Sequence, residues 1–497
     1  MANRFFSRIS ICLAISTAAA ALAEAPDSAF MALLRVLRDR GSISSQEYDA
    51  LRKAAEADAV ARAGAPLPVP AAAPGAPAAA IAGSPAAPTP SAAIAPPSAT
   101  EPKSTASADT HKSTAKPVPK WYDRLSFRGY VQLRYHSIID QPPGTDLYVP
   151  NDRSVGTTES FLLRRARLIL SGDLSEHVSI YLQPDFNASP SDAQYSVQLR
   201  DVYADVAFDH DKEYRVRLGQ SKVPYGFSNM QSSQNRAPLE RPDALNSAVE
   251  GERDIGAFFY WAPAEVRERY RHLVSSGLKG SGDYGVAGIG VYSGQGLNRS
   301  DRNGDVHVVG RLNYPWELPG KQVLETGIQA YTGRFVVDTE SIPDPANPKL
   351  SLKPTARADG LADERVGVSA ILYPQPFGFE AEWNWGRGAQ LSADRRSIDA
   401  EFLHGGYAQL NYRQESPVGV WFPFVRWQYY DGGRKFAKNA PRDLVNEMDL
   451  GLEFSPWKEI EITVSYTHTL HRTNTRTAPY GDAAGADRLG LQVQWNF

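Results

Sequence analysis

The chain has 497 residues, a formal net charge of −3 and a mean hydropathy of −0.39. That balance excludes a basic nucleic-acid-binding surface. No apolar run of about eighteen residues follows the N-terminus, which excludes membrane-spanning helices but not a transmembrane β-barrel, whose alternating strands average to a hydrophilic score.

Residues 1–23 read as an export signal. Arg4 and Arg8 make a positive start, 9–20 is an Ala-rich apolar stretch, and Ala21-Leu-Ala23 is an A-x-A cleavage site. Cys12, the only cysteine, has no lipobox around it and would leave with the signal. The mature chain would carry about −5 (−3 less the two arginine charges) and no disulfide.

Residues 24–63 are predicted helical and coiled-coil-like. Phe30, Leu33, Leu34 and Leu37 share a face, Gly41 stops the helix, and Ser45 starts a second one through Leu51 and Ala54. Residues 34–51 resemble the helical hairpin at the start of some exported porins; two helices this short bury too little to fold alone, so self-association is expected. Residues 64–120 form a Pro/Ala-rich tract that cannot build a core, a disordered linker reaching at most roughly 170 Å at about 3.1 Å per residue.

From residue 121 onward the pattern is period-2 alternation. Strands are predicted at 126–137, 160–172, 177–187, 196–208, 213–220, 253–262, 270–280, 284–293, 305–315, 322–333, 363–374, 377–388, 403–414, 419–431, 446–456, 459–470 and 486–497. In the last, Leu489, Leu491, Val493, Trp495 and Phe497 form one face, and Arg488, Gly490, Gln492, Gln494 and Asn496 the other. Short connections such as 173–176 and 374–376 alternate with long ones such as 138–159 and 221–252, the layout of an outer-membrane barrel. Seventeen strands cannot close with both ends on one side. One of 253–262 and 270–280, separated by the charged stretch 265–271, is therefore to be merged or discarded. The expected fold is all-β: a transmembrane antiparallel barrel of sixteen strands over 121–497, its last strand paired with the first near Phe127 and Tyr135 so that no edge remains.

Three segments together resemble the phosphate-selective porin O/P family: FLLRRARL at 161–168 followed by Gly172, LRDVYAD at 199–205, and LGQSKVPYG at 218–226 running into LERP at 239–242 and RDIG at 253–256. The third departs from the family pattern in having Ser221 before Lys222, where an aromatic is common. The resemblance implies a sixteen-stranded homotrimeric pore that passes anions.

Strand faces sort the charges. With Phe127, Val131, Leu133 and Tyr135 outward, Arg128, Tyr130, Gln132 and Arg134 point to the lumen. With Ala166, Leu168 and Leu170 outward, Arg165 and Arg167 point in, and with Tyr214, Val216 and Leu218 outward, so do Arg215 and Arg217. A guanidinium facing lipid costs about 2–4 kcal/mol at mid-bilayer, so the lumen is preferred. Six arginines then line one wall, which suits anions. The competing reading is a network that stiffens the wall, with Asp185, Asp201, Asp205, Glu325, Glu380, Glu382, Asp449, Glu453 and Glu461 as partners. The late strands are the more acidic, so a transverse field is expected. In porins the third loop folds inward. By resemblance, Lys222, Arg236, Glu240 and Arg241 belong to the constriction.

The tryptophans read as interfacial girdles, since Trp383, Trp385 and Trp495 share the apolar face. Nine scattered histidines with no H-E-x-x-H or G-x-S-x-G argue against an enzyme, and DRNGD at 301–305 lacks the closing Glu of a calcium loop. No cofactor is expected. The expected function is an outer-membrane channel for small anions, phosphate or polyphosphate-like, with the N-terminal segment in the periplasm. The alternatives are a structural envelope protein whose N-terminal tether binds cell wall or partners, and a general or sugar-passing porin. Phe497 resembles the signal read by the barrel-assembly machinery.

Overall fold

The computed structural model describes residues 121–140, 160–189, 194–344, 347, 349–474 and 484–497, and seven helical residues between 38 and 53. The expected signal, the linker over 64–120 and most of the helical segment lie outside the described residues. Of that segment, Arg38, Ser45, Gln46, Tyr48, Asp49, Arg52 and Lys53 are helical, and the Arg38 guanidinium sits 4.7 Å over the Tyr48 ring.

Sixteen antiparallel strands close on themselves. They are β1 (Leu125–Asp140), β2 (Ser160–Asp173), β3 (Val178–Ser189), β4 (Gln194–Ala207), β5 (Tyr214–Lys222), β6 (Arg253–Trp261), β7 (Ala287–Tyr292), β8 (His307–Glu317), β9 (Val323–Phe335), β10 (Leu361–Leu372), β11 (Phe377–Leu391), β12 (Ile398–Tyr412), β13 (Gly419–Gly433), β14 (Arg442–Trp457), β15 (Ile460–Thr473) and β16 (Ala484–Asn496). Each strand pairs with its neighbours in sequence, and β1 pairs with β16, Val131 opposite Trp495 and Tyr135 opposite Leu491. A short strand, Gln414–Ser416, prolongs the β12–β13 pairing, and a small hairpin joins Ile342–Pro343 to Ser351–Leu352.

The alternation of side chains explains the closure. Phe127, Leu312, Phe402, Leu450 and Leu489 are exposed on the outer face, while Tyr130, Gln132 and Arg134 are buried inside. At the seam, Gly129 and Phe497 exchange backbone hydrogen bonds of 2.8 and 3.0 Å. A side chain at Gly129 has no room, because a Cβ there would meet the Arg167 carbonyl oxygen and the Phe497 ring, each at 2.5 Å.

Two connections fill the interior. Residues 223–252, after β5, come from the long-loop end and carry α1 (Phe227–Met230) and α2 (Asp243–Asn246). Val223, Tyr225, Leu245, Ala248 and Val249 bury there against Tyr331, Leu403, Tyr407 and Tyr430 of the wall. Residues 262–286, after β6, come from the short-turn end.

This second connection corrects one expectation. No strand exists at 270–280; Ala264–Ser275 is a helix, α3, with Val266, Tyr270 and Leu273 buried. Strand alternation would place Arg271 and Leu273 on one face, which suits neither lipid nor water. The spacing i, i+4, i+7 separates them. Removing this strand gives the even count of sixteen.

An inward loop against an arginine wall

The inward loop is fixed at both ends by groups of the wall. Lys222 donates to the carbonyls of Met230 and Gln231 at 2.7 and 2.8 Å. Glu382 accepts from the backbone N–H groups of Phe227 and Ser228 at 2.6 and 2.7 Å, at the start of α1. Arg365 donates to the Ala244 carbonyl and the Ser247 hydroxyl, both at 3.0 Å. Arg241 ties the loop to itself, donating to the Ser228 carbonyl at 3.0 Å and pairing with Glu252 at 2.6 Å. Lys222 and Arg241 thus clamp the inward loop itself.

Loop and wall meet at Glu240. Its carboxylate receives Arg134 at 2.6 Å, Arg164 at 2.9 Å and Arg165 at 3.2 Å. Arg134 also donates to Gln492 at 2.7 Å, and Arg165 to Gln132 at 2.8 Å. Arg167 lies one step deeper, paired with Asp185 at 2.8 Å and bonded to the Tyr130 hydroxyl at 2.8 Å. Arg253 pairs with Asp201 at 2.9 Å, and Arg200 with Glu252 at 3.4 Å.

Arg236 differs from all of these. It is 5% exposed, and none of its three guanidinium nitrogens has a hydrogen-bond partner among the described residues. The charges that act on it most are Arg241, Glu240 and Arg165. A cavity of about 270 Å³ opens beside this cluster, lined by Arg164, Arg165, Arg167, Arg200, Arg241 and Arg299 together with Asp185, Glu240, Glu250 and Glu252.

The expected six-arginine wall is therefore divided by the structure. Arg134, Arg165 and Arg167 converge with Arg236, Arg241 and Lys222. Arg215 and Arg217 stand apart, near the short-turn end. Arg215 bonds Asp283 at 2.6 Å, and Arg217 is held by both oxygens of Asp205 at 2.7 and 2.8 Å with the Tyr203 ring 3.9 Å away. Arg128 is exposed, also near that end. All nine expected carboxylates lie on the inside of the barrel, and two of them, Asp185 and Asp205, pair with Arg167 and Arg217, whereas Arg215 pairs with Asp283, which the pairing reading does not include.

Sequence reasoning missed Arg164, Arg200 and Arg253. Arg164 points inward because β2 bulges against β1: Gln132 faces Arg165 and Leu133 faces Leu163, leaving Arg164 as the extra residue. The signal was present as two adjacent arginines in an otherwise alternating strand. Counted among the described residues, nine cations (Arg134, Arg164, Arg165, Arg167, Arg200, Lys222, Arg236, Arg241, Arg253) meet four pairing carboxylates (Asp185, Asp201, Glu240, Glu252). Across the interior, Glu325, Glu380, Glu382, Glu453 and Glu461 occupy later strands.

Among solved structures, the chain is similar to the outer membrane channel DcaP of Acinetobacter baumannii (14% identity, TM-score 0.45, 75% of this chain and 97% of that one). It is also similar to Salmonella typhi OmpF (11%, TM-score 0.47, 75% and 97%) and to an anion-selective porin from Comamonas acidovorans (12%, TM-score 0.43, 75% and 99%). No curated protein matches the sequence. The sequence pattern described as "Phosphate-selective porin O and P" matches residues 144–497. A match over well more than half of the chain, on a closed sixteen-stranded barrel, means that this protein belongs to the phosphate-selective porin O and P family and is an outer-membrane channel.

Proposed function

We propose that this channel passes small anions, phosphate or polyphosphate-like, and selects them where the inward loop meets the arginine wall. The observation that carries this reading is Arg236. A buried guanidinium without partners is costly, by several kcal/mol where water is excluded. A passing oxyanion offers the acceptors that the protein does not. The surplus of cations around Arg236 supports the same sign of charge, since guanidinium groups favour anion passage.

In this reading the long loops face outward and the short turns face the periplasm, where the N-terminal segment also lies. The assembly is a homotrimer, and Phe497, exposed at the end of the closing strand, is the residue read by the barrel-assembly machinery.

The test is reconstitution in planar bilayers. In a salt gradient the reversal potential should show anion preference, and added phosphate should reduce the chloride current. Equal permeability to chloride and potassium would sink the reading. Uptake of neutral sugars into proteoliposomes as fast as phosphate would favour a general pore.

A further inference from the structure

The short-turn end of the barrel is crossed by connections of two to six residues, with one exception: the twenty-five residues 262–286 between β6 and β7. This connection does not hang outside. Arg267 donates to the Asp211 carbonyl at 2.6 Å and bonds Asp283 at 2.8 Å. Arg269 donates to the Pro315 carbonyl at 2.7 Å. The buried stripe of α3 packs on Val323, Ile371 and Tyr373, the ends of β9 and β10. Beyond the helix, Lys279 reaches Glu453 and, at 3.3 Å, Glu461.

Those two carboxylates flank the β14–β15 hairpin. In a ring of sixteen strands, the β6–β7 and β14–β15 hairpins are eight strands apart, on opposite walls. The segment therefore spans the mouth from side to side. Its middle also touches the constriction, since Gln231 of the inward loop donates to the Lys279 carbonyl at 2.7 Å.

The far attachment is built to be reversible. Lys279 has φ +67°, a left-handed conformation that a non-glycine residue adopts at a cost, so its own backbone favours release. Gly277, Gly282 and Gly285 have positive φ values around it and supply pivots. Release is opposed by the pairing of one ammonium with two carboxylates, buried at 8%, 4% and 11% side-chain exposure, together with the Gln231 bond to the Lys279 carbonyl and the burial of Leu278.

We propose that residues 262–286 are a strap that gates the periplasmic mouth, with Lys279 as its latch on Glu453 and Glu461. Solutes of any charge leave the barrel past this strap, so the proposal holds whichever solute the constriction selects. Release of Lys279 frees the stretch between α3 and Asp283, which stays bonded to Arg215 and Arg267, so that this stretch swings away from β14 and β15.

The experiment is single-channel recording of the full-length protein and its variants, each verified as a folded barrel. Lys279→Ala should raise the mean conductance about twofold or add openings to a higher level, because the obstruction crosses the whole mouth. Glu453→Gln with Glu461→Gln should do the same. Lys279→Arg should behave as the parent, and Lys279→Glu combined with Glu453→Lys should return toward it. Parent-like conductance and open probability in both Lys279→Ala and the double Gln variant would overturn the gate. A charge swap that stays at the open level would overturn the latch.

Discussion

Glu240 receives Arg134 at 2.6 Å inside the barrel, and the same carboxylate also receives Arg164 and Arg165, so three guanidinium groups converge on one carboxylate. The carboxylate comes from the inward loop and the arginines from β1 and β2, so the contact both seats the loop and limits the local positive charge.

Glu240→Gln keeps the shape and removes the charge. Three guanidinium groups then lose one anionic partner, and removing one member of a buried ion pair costs about 3–5 kcal/mol. The expected outcome is a lower unfolding temperature together with a larger anion-over-cation permeability ratio, read from thermal unfolding and reversal potentials. An unchanged reversal potential would take Glu240 out of the selectivity determinants.

Arg236 and Arg217 should separate selectivity from stability. Arg236 bonds nothing among the described residues, so Arg236→Ala leaves no orphan and should hold or raise stability. It should weaken phosphate block about tenfold, the loss of one charged hydrogen bond. Arg217→Ala orphans Asp205 and removes a guanidinium stacked on Tyr203. It should cost about 3–5 kcal/mol in stability and leave phosphate block within about twofold of the parent. The reverse pattern would move the site toward the short-turn end.

The contrast between these two arginines also shows what the sequence could and could not reveal. Alternation alone places Arg217 inside, and the same rule locates the sixteen strands, the closing pair and the carboxylates; Arg236 is assigned to the inward loop only by resemblance. Alternation says which face a side chain takes, not what stands opposite. Asp205 is twelve residues from Arg217 and happens to be its partner, while Arg236 lies on a loop with no periodicity to read. Two further features broke the rule locally. A bulge turned Arg164 inward, and the charged stretch before Tyr270 hid a helix inside what looked like a strand.

Asp283 gives the strap a defined acid limit. Burial would raise its carboxyl, but the bonds from Arg215 and Arg267 outweigh this and hold it well below the usual carboxylate range. A depressed value in the folded state stabilises above the unfolded value of about 3.9, and the effect fades as pH falls below that. Docking of the strap should therefore persist at about pH 5 and weaken below about pH 4. Asp283→Asn should show the weakened state already at neutral pH. Limited trypsin digestion at the exposed Arg271 reads this directly. Equal cleavage of parent and variant at neutral pH would exclude Asp283 as an anchor.

The seam of the barrel gives the sharpest structural prediction. At Gly129 a Cβ would meet two obstacles at 2.5 Å, the Arg167 carbonyl oxygen and the Phe497 ring. The ring is the movable one, and the carbonyl is fixed by the β1–β2 ladder. Gly129→Ala should lower stability by about 1–3 kcal/mol, the usual cost of overpacking. Phe497→Ala alone loses outer-face contact at a residue that is 55% exposed, a smaller effect. In the double variant the ring is gone and only the carbonyl clash remains, so the two losses should add to less than their sum. A double-mutant cycle on the heat-unfolding temperature measures this. Strict additivity would mean that the closing strand had already moved away from β1 in Gly129→Ala, and that the seam, not the ring, is where the barrel yields.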